Sequence, residues 1–129
     1  ACVTAEQDER AARVLAVHAA GLGAPLIREG VDFEARPAPD GGLLYRGPSG
    51  ERRLPAPNLA GDFQYRNAGL ALAAVEHLSR GGAAAPFAAY PDEALARGLR
   101  SIRWPARLQP TATAWSIATR TTAPPTPRG

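Results

Sequence analysis

Apolar residues recur every three or four positions in three stretches of the chain, which is the spacing of one face of an α-helix. These stretches predict helices over residues 8–20, over residues 62–80 and from residue 92 onward. The longest has the clearest pattern, and its expected inner face is Phe63, Asn67, Leu70, Ala71, Ala74 and Leu78. The third follows Pro91 and opens with two acidic residues, as suits the first turn of a helix, and Trp104-Pro105 closes it.

Between the first two helices the chain changes to short extended runs. Four runs predict strands, over residues 24–28, 32–35, 42–46 and 51–54. Turn signals rich in Gly and Pro at residues 39–42 and 47–50 separate the last three runs, so these are expected to form a small antiparallel meander. Residues 110–129 are mostly Thr, Ala, Pro and Arg without periodicity, which predicts a disordered tail.

Charge and composition exclude several classes of function. The net charge is only +3, and the basic residues, all of them Arg, are spread among acidic ones rather than massed as on a nucleic-acid-binding face. A single cysteine allows neither an intrachain disulfide nor a cysteine metal cluster, and no apolar run is long enough to span a membrane. We therefore expect a cytoplasmic protein without nucleic-acid or membrane partners. Its start at Ala1 suggests a piece of a longer product.

Gln64 and Asn67 are the polar side chains that depart most from the pattern of the long helix. They lie three residues apart, hence on one side of it, and Asn67 falls on the expected inner face. A buried amide without partners costs about 1–3 kcal/mol, so partners are expected. These partners could be neighbouring backbone groups, and the residues considered alone favour this interpretation. Alternatively, Asn67 could offer its adjacent donor and acceptor to the N6/N7 edge of adenine.

Arg107 is the second candidate for binding. Pro105 forces an extended exit from the third helix and so fixes the direction of Arg107. Its guanidinium could hold a phosphate with two parallel hydrogen bonds. A surface arginine beside a buried Trp104 is the simpler interpretation of these residues alone.

Taken together, these segments resemble the folylpolyglutamate and dihydrofolate synthases of the Mur-ligase superfamily. The resemblance rests on L-x-G-x-F-Q-x-x-N-A-x-L-A-L-A-A from residue 59, G-L-R-S-I from residue 98 and W-P-A-R-L-Q from residue 104, preceded by G-A-P-L-I-R-E-G-V-D-F. It covers residues 1–109 and implies an α/β fold: the second half of a three-layer central ATP-binding domain with a small antiparallel sheet. Residues 110–129 would be a disordered or out-of-frame tail.

The resemblance also implies roles for three residues. Asn67 matches the family's adenine-contacting asparagine, Gln64 the neighbouring polar position, and Arg107 the hinge arginine that faces the nucleotide phosphates. Two positions depart from the family pattern: Ala106 stands where glycine is usual, and Phe63 where histidine is common. The change at Ala106 puts in doubt the turn that directs Arg107.

The implied activity is an ATP-dependent ligase that adds L-glutamate to dihydropteroate or folate through an acyl phosphate. The family's P-loop with its lysine, its Mg²⁺-binding acids and its C-terminal domain have no counterpart in this sequence. We therefore expect no catalytic residue and no metal ligand here, ATP and Mg²⁺ as cofactors of a monomeric parent enzyme, and no activity of the chain alone. Another Mur-type ligase of peptidoglycan synthesis and a non-enzymatic interaction domain are the alternatives.

Overall fold

The computed structural model describes residues 1–80 and 86–103, together with the backbone of Gln109–Pro110 and Trp115–Ser116. These residues form a mixed α/β fold, as predicted. The helices are α1 (Glu9–Gly21), α2 (Phe63–Arg80) and α3 (Asp92–Ser101). The strands are β1 (Cys2–Thr4), β2 (Leu26–Arg28), β3 (Glu34–Pro37), β4 (Leu43–Gly47), β5 (Gly50–Leu54), β6 (Gln109–Pro110) and β7 (Trp115–Ser116). No helix within this part of the chain is both long and apolar enough to cross a membrane.

The first two strands and the helix between them form a parallel β-α-β unit. β1 pairs with β2 from Cys2 opposite Leu26 to Thr4 opposite Arg28. Asp8 caps α1 by accepting a hydrogen bond from the Ala11 amide at 3.0 Å, which satisfies one of the free donors of the first turn. The sequence pattern predicts α1 and β2 but not β1, because a strand of three residues is too short to show periodicity.

Strands β3, β4 and β5 form the predicted antiparallel meander, in that order. A two-residue turn joins β4 to β5, and Gly50 closes it with a φ of 111°, which a residue with a side chain rarely adopts. On β4, alternate side chains point into the core, and both Leu43 and Tyr45 are fully buried.

Helix α2 crosses the meander, but not on the predicted face. Its buried positions are Gln64, Ala68, Gly69, Leu72, Ala73, Glu76 and Ser79. Phe63 is 49% exposed and Leu78 59% exposed, so the expected inner face is wrong by about one position. The reason is the close approach of helix and sheet at one point: a Cβ on Gly69 would overlap the Ala35 side chain of β3, so this glycine has to face the sheet.

The loop predicted for residues 82–90 contains one 3₁₀ turn over Phe87–Ala89, and residues 81–85 lie outside the described part. Phe87 enters the core, where its ring lies edge-on to Tyr45 with 6.1 Å between the centroids. Helix α3 follows and buries Ala96 and Leu99.

At the start of the predicted disordered tail, β6 and β7 pair antiparallel, with Gln109 opposite Ser116 and Pro110 opposite Trp115. The residues around these four lie outside the described part. For them, disorder stays a prediction.

Candidate functional site

The candidate site is an amide pair, Gln64 and Asn67, at the first turn of α2. Gly61, with a φ of 107°, turns the chain into the helix, and its carbonyl accepts a hydrogen bond from the backbone N–H of Gln64 at 3.0 Å. Asn67 lies one turn after Gln64, and its Nδ2 donates to Gln64 Oε1 at 3.0 Å. The two side chains therefore act as one hydrogen-bonded unit.

The structure contradicts the predicted burial of Asn67. Asn67, expected on the inner face, is exposed, whereas Gln64 is only 2% exposed. Within the described residues, Gln64 Nε2 is buried and has no hydrogen-bond partner. The rotation of α2 explains the exposure of Asn67, since the face that turns toward the sheet carries Gln64 and Ala68. Of the two residues, Asn67 is the one that a ligand from solvent can reach.

An ion pair between Arg66 and Glu29 ties the amide pair to the parallel strands. Arg66 Nε lies 3.0 Å from a carboxylate oxygen of Glu29, whose side chain is only 9% exposed and which follows β2 directly. The same oxygen accepts a hydrogen bond from the Glu6 amide, just after β1, at 3.1 Å. Sequence reasoning missed this contact, because its two partners lie 37 positions apart and leave no periodic signal.

A second contact holds the first turn of α2 against the meander. The Tyr65 hydroxyl donates a hydrogen bond to the Gly41 carbonyl, in the loop between β3 and β4, at 2.8 Å. The start of α2 is thus fixed both to the carboxyl ends of the parallel strands and to the meander. A rigid position of this kind is what a binding amide requires, because a directional hydrogen bond tolerates little displacement.

Arg107 lies outside the described residues, as do Trp104, Pro105 and Ala106. The structure brings Gln64 and Asn67 together and leaves the predicted position of Arg107 untested.

The described residues do not fit a magnesium site. Within residues 1–80 and 86–103, no three His, Cys, Asp or Glu side chains lie close enough to share a metal ion. Glu29, whose carboxylate contacts the first turn of α2, is already engaged by Arg66 and by the Glu6 backbone N–H. We therefore derive no chemical step through Mg²⁺ from these residues.

The fold and the position of the Gln64–Asn67 pair are those of an open α/β domain that binds a ligand. A parallel β-α-β unit with candidate binding residues beside the carboxyl ends of its strands is the arrangement in which open α/β domains hold their ligands. Here the anchored start of α2 brings the amide pair to that edge.

Solved structures of folylpolyglutamate synthetase from Lactobacillus casei share this fold. One matches with a TM-score of 0.68 at 28% identity, over 83% of this chain and 27% of that chain. An FPGS-AMPPCP complex matches with a TM-score of 0.67 at 28% identity, and an FPGS-AMPPCP-folate complex with 0.67 at 27%, each over 83% of this chain and 26% of the other. No family model and no curated protein matches the chain.

The chain therefore has the fold of a folylpolyglutamate-synthase-like segment of the Mur-ligase type, which confirms the resemblance seen in the sequence. It spans about a quarter of the length of the enzymes it matches.

Proposed function

We propose that this chain supplies the adenine-binding edge of an ATP-dependent ligase that adds L-glutamate to dihydropteroate or folate. The observation that carries the proposal is the exposed Asn67 amide, held in place by buried Gln64 at an anchored helix start. Two of the similar structures support it, being complexes of a folylpolyglutamate synthetase with AMPPCP, a non-hydrolysable analogue of ATP.

The chemistry of Asn67 suits a base rather than a phosphate. With one hydrogen of Nδ2 directed to Gln64, the side chain still offers Oδ1 as an acceptor and a second N–H as a donor. Adenine presents a 6-amino donor beside a ring-nitrogen acceptor, so one planar amide satisfies both. A neutral amide gains little from phosphate charge, which in this proposal falls to Arg107 and to groups outside this chain.

The proposal divides the reaction between this chain and the rest of the enzyme. ATP would phosphorylate the carboxylate of the folate, and the glutamate amine would attack the acyl phosphate to give an amide, ADP and phosphate. Positioning and neutralisation of charge govern such a reaction. The described residues contain no group placed for either step, so the purified chain should not incorporate glutamate. Incorporation that requires ATP would contradict this expectation.

Nucleotide binding by the full chain tests the proposal. Isothermal titration with ATP in the presence of EDTA isolates the contact to the base, because no metal bridge can form. We expect a dissociation constant of about 0.1–1 mM, as suits a partial site. Asn67→Leu should weaken binding by about tenfold, the value of one or two hydrogen bonds.

Asn58→Leu is the matched control. Asn58 is also exposed, and its side chain makes only a 3.4 Å hydrogen bond to the Ile102 carbonyl, so ATP affinity should not change. Equal affinities of wild type and Asn67→Leu, or no binding by wild type at several millimolar ATP, would reject the proposal.

A further inference from the structure

We propose that the ring of Phe63 stacks on the base whose edge pairs with Asn67, and so supplies the flat wall of the nucleotide site. This role rests on the proposed nucleotide-binding function and deepens it, because it adds the residue that holds the plane of the base. It follows from the position of Phe63 one turn before Asn67 and from the exposure of its ring.

Phe63 is the only exposed ring among the three Phe and three Tyr residues of the chain, all of which the structure describes. Its side chain is 49% exposed, whereas each of the other five is buried or half-buried. Exposure of a single apolar residue is ordinary on a protein surface. What distinguishes Phe63 is that its ring is exposed directly beside the candidate binding amide.

Gly61 holds this ring in place. A Cβ on Gly61 would overlap the ring of Phe63, so the ring lies directly against the backbone of the glycine. The φ of 107° at Gly61 is a second reason why glycine is required there. Because the ring is already seated on the backbone, a ligand that stacks on it loses less free energy to ordering of the side chain.

The face of α2 around Asn67 leaves room for one flat ring. Phe63, Asn67 and Ala71 follow one another at four-residue spacing, hence on one face, and all three are exposed. Successive members lie about 6 Å apart along the helix axis. Carbon atoms in contact are about 3.5–4 Å apart, so a planar base at the level of Asn67 can have Phe63 on one side and the small Ala71 on the other.

The stack contributes affinity for a flat base and does not select among purines. Every base presents a similar π-face, and base–aromatic stacking is therefore tolerant of the groups on the edge of the base. The contribution of Phe63 is thus independent of the direction in which the Asn67 amide is turned. It adds a contact to the face of the base, whereas Asn67 contacts the edge.

Stacking and simple packing predict opposite orders for two variants of Phe63. If the ring only fills space against Gly61, the flexible and apolar leucine of Phe63→Leu should preserve ATP binding, and the larger indole of Phe63→Trp should impair it. If the ring stacks on the base, the leucine should weaken binding, and the indole should preserve or strengthen it.

Isothermal titration with ATP in EDTA measures this order, and melting temperatures establish that each variant is folded. We expect Phe63→Leu to weaken ATP binding by about tenfold and Phe63→Trp to bind ATP within about twofold of wild type, or more tightly. Leu78→Ala is the matched control, because Leu78 is an apolar residue of α2 that is 59% exposed and lies three turns beyond Asn67. Its ATP affinity should equal that of wild type.

Proton NMR of the nucleotide gives a second measurement, which needs no variant. The ring current of a stacked Phe63 should move the H2 and H8 resonances of adenine upfield as wild type is added to ATP. Phe63→Leu should abolish this shift at matched saturation, and Phe63→Trp should retain it. A side chain that merely stabilises the start of α2 would not produce the shift.

Four results would overturn the inference. Unchanged ATP affinity in Phe63→Leu, or ATP binding by wild type without an upfield shift, rejects the stack while the proposed function stands. Equal losses in Phe63→Leu and Phe63→Trp would mean that packing against Gly61 matters rather than the aromatic face. A similar loss in Leu78→Ala would assign the effect to exposed apolar area in general. No binding of ATP by folded wild type removes the inference together with the proposed function.

Discussion

The hydroxyl of Tyr45 donates a 2.6 Å hydrogen bond to the carboxylate of Glu76 inside the core. Both residues are at most 2% exposed, and the other carboxylate oxygen of Glu76 accepts from the Ser49 amide at 2.5 Å. No cationic side chain of the described residues lies within 4.0 Å of Glu76, so these two donors stabilise the buried acid. One carboxylate thereby joins the tip of the meander to the C-terminal half of α2.

The Tyr45–Glu76 bond predicts a loss of stability at alkaline pH. Burial and the hydrogen bond to Glu76 raise the pKa of Tyr45 above its ordinary value of 10.0. The folded state then keeps a proton that the unfolded state releases. The stabilisation is complete below about pH 10 and is lost as the pH rises further. We expect the free energy of unfolding of wild type to fall above that pH.

Tyr45→Phe separates this effect from general alkaline unfolding. At pH 7 the variant should lose about 1–2 kcal/mol, because Glu76 keeps only the Ser49 donor. Its stability should then depend less on pH above about pH 10 than that of wild type or of Tyr90→Phe, the control. Urea denaturation at a series of pH values measures both quantities, and equal alkaline slopes in all three proteins would contradict the prediction.

Local patterns predicted the elements of this fold well. Helices predicted over residues 8–20 and 62–80 are observed over Glu9–Gly21 and Phe63–Arg80, because apolar spacing, the Asp8 cap of α1 and the glycines that follow each helix in the sequence are local signals. The buried face of α2 could not be predicted in the same way. It is chosen by the contact of Gly69 with Ala35 and by the buried carboxylate of Glu76, both of which depend on residues distant in the sequence.

Prediction from local sequence patterns also reaches this limit at the candidate site. Sequence identified Gln64 and Asn67 as a pair on one side of a helix, and the structure joins them by a hydrogen bond. Which of the two faces solvent depends on the rotation of α2, and a helix rich in alanine leaves that rotation almost undetermined by hydropathy. The ion pair of Glu29 with Arg66, which anchors the site, appears only once the strands and the helix are assembled.

Arg52 holds the segment before α3 against the meander, and its replacement should be costly. Its guanidinium donates to the carbonyls of Tyr90 at 3.0 Å and Phe87 at 2.9 Å, pairs with Asp92, and lies 4.9 Å from the centre of the Phe87 ring. The side chain is only 15% exposed. A lysine cannot reproduce this planar set of donors.

Arg52→Lys should therefore lower the free energy of unfolding by about 2 kcal/mol. Arg53→Lys is the matched control on the next residue, where the ion pair with Asp40 is exposed to solvent and should contribute much less. Chemical denaturation of both variants tests the difference, and equal losses would show that the contacts of Arg52 add nothing.

The hydrogen bonds that Asp40 accepts predict that the folded protein loses a little stability in acid. Hydrogen bonds from the Arg53 side chain, at 2.7 Å, and from the Gly42 amide, at 3.2 Å, lower the pKa of Asp40 below its ordinary value of 3.8. A depressed folded-state pKa stabilises the protein above the unfolded value, and this contribution is lost as the pH falls through the folded one.

Asp40→Asn should therefore lower the urea midpoint at pH 6, and the difference from wild type should shrink toward about pH 2. Glu6→Gln is the control, because the exposed Glu6 side chain makes no hydrogen bond or ion pair among the described residues. A difference for Asp40→Asn that is the same at both pH values would contradict the assigned linkage.

Two helical glycines should respond in opposite directions to the same substitution. Glycine in a helix costs about 1 kcal/mol relative to alanine, so Gly→Ala stabilises a helix wherever the methyl group has room. Gly98 in α3 has open space at the position of a Cβ, and Gly98→Ala should raise the free energy of unfolding by up to about 1 kcal/mol. At Gly69 the new methyl would overlap the Ala35 side chain, and overpacking costs about 1–3 kcal/mol or more, so the net effect should be a loss.

Thermal and urea denaturation of Gly69→Ala and Gly98→Ala check the two signs. Because the shift that relieves the overlap at Gly69 must move α2 away from β3, it should also displace Asn67 and weaken ATP binding. Gly98→Ala should leave ATP affinity unchanged, since α3 does not carry the amide pair. A stabilised Gly69→Ala variant would mean that α2 does not need its close approach to the sheet. The packing of Gly69 against Ala35 would then not be what fixes the rotation of the helix and the exposure of Asn67.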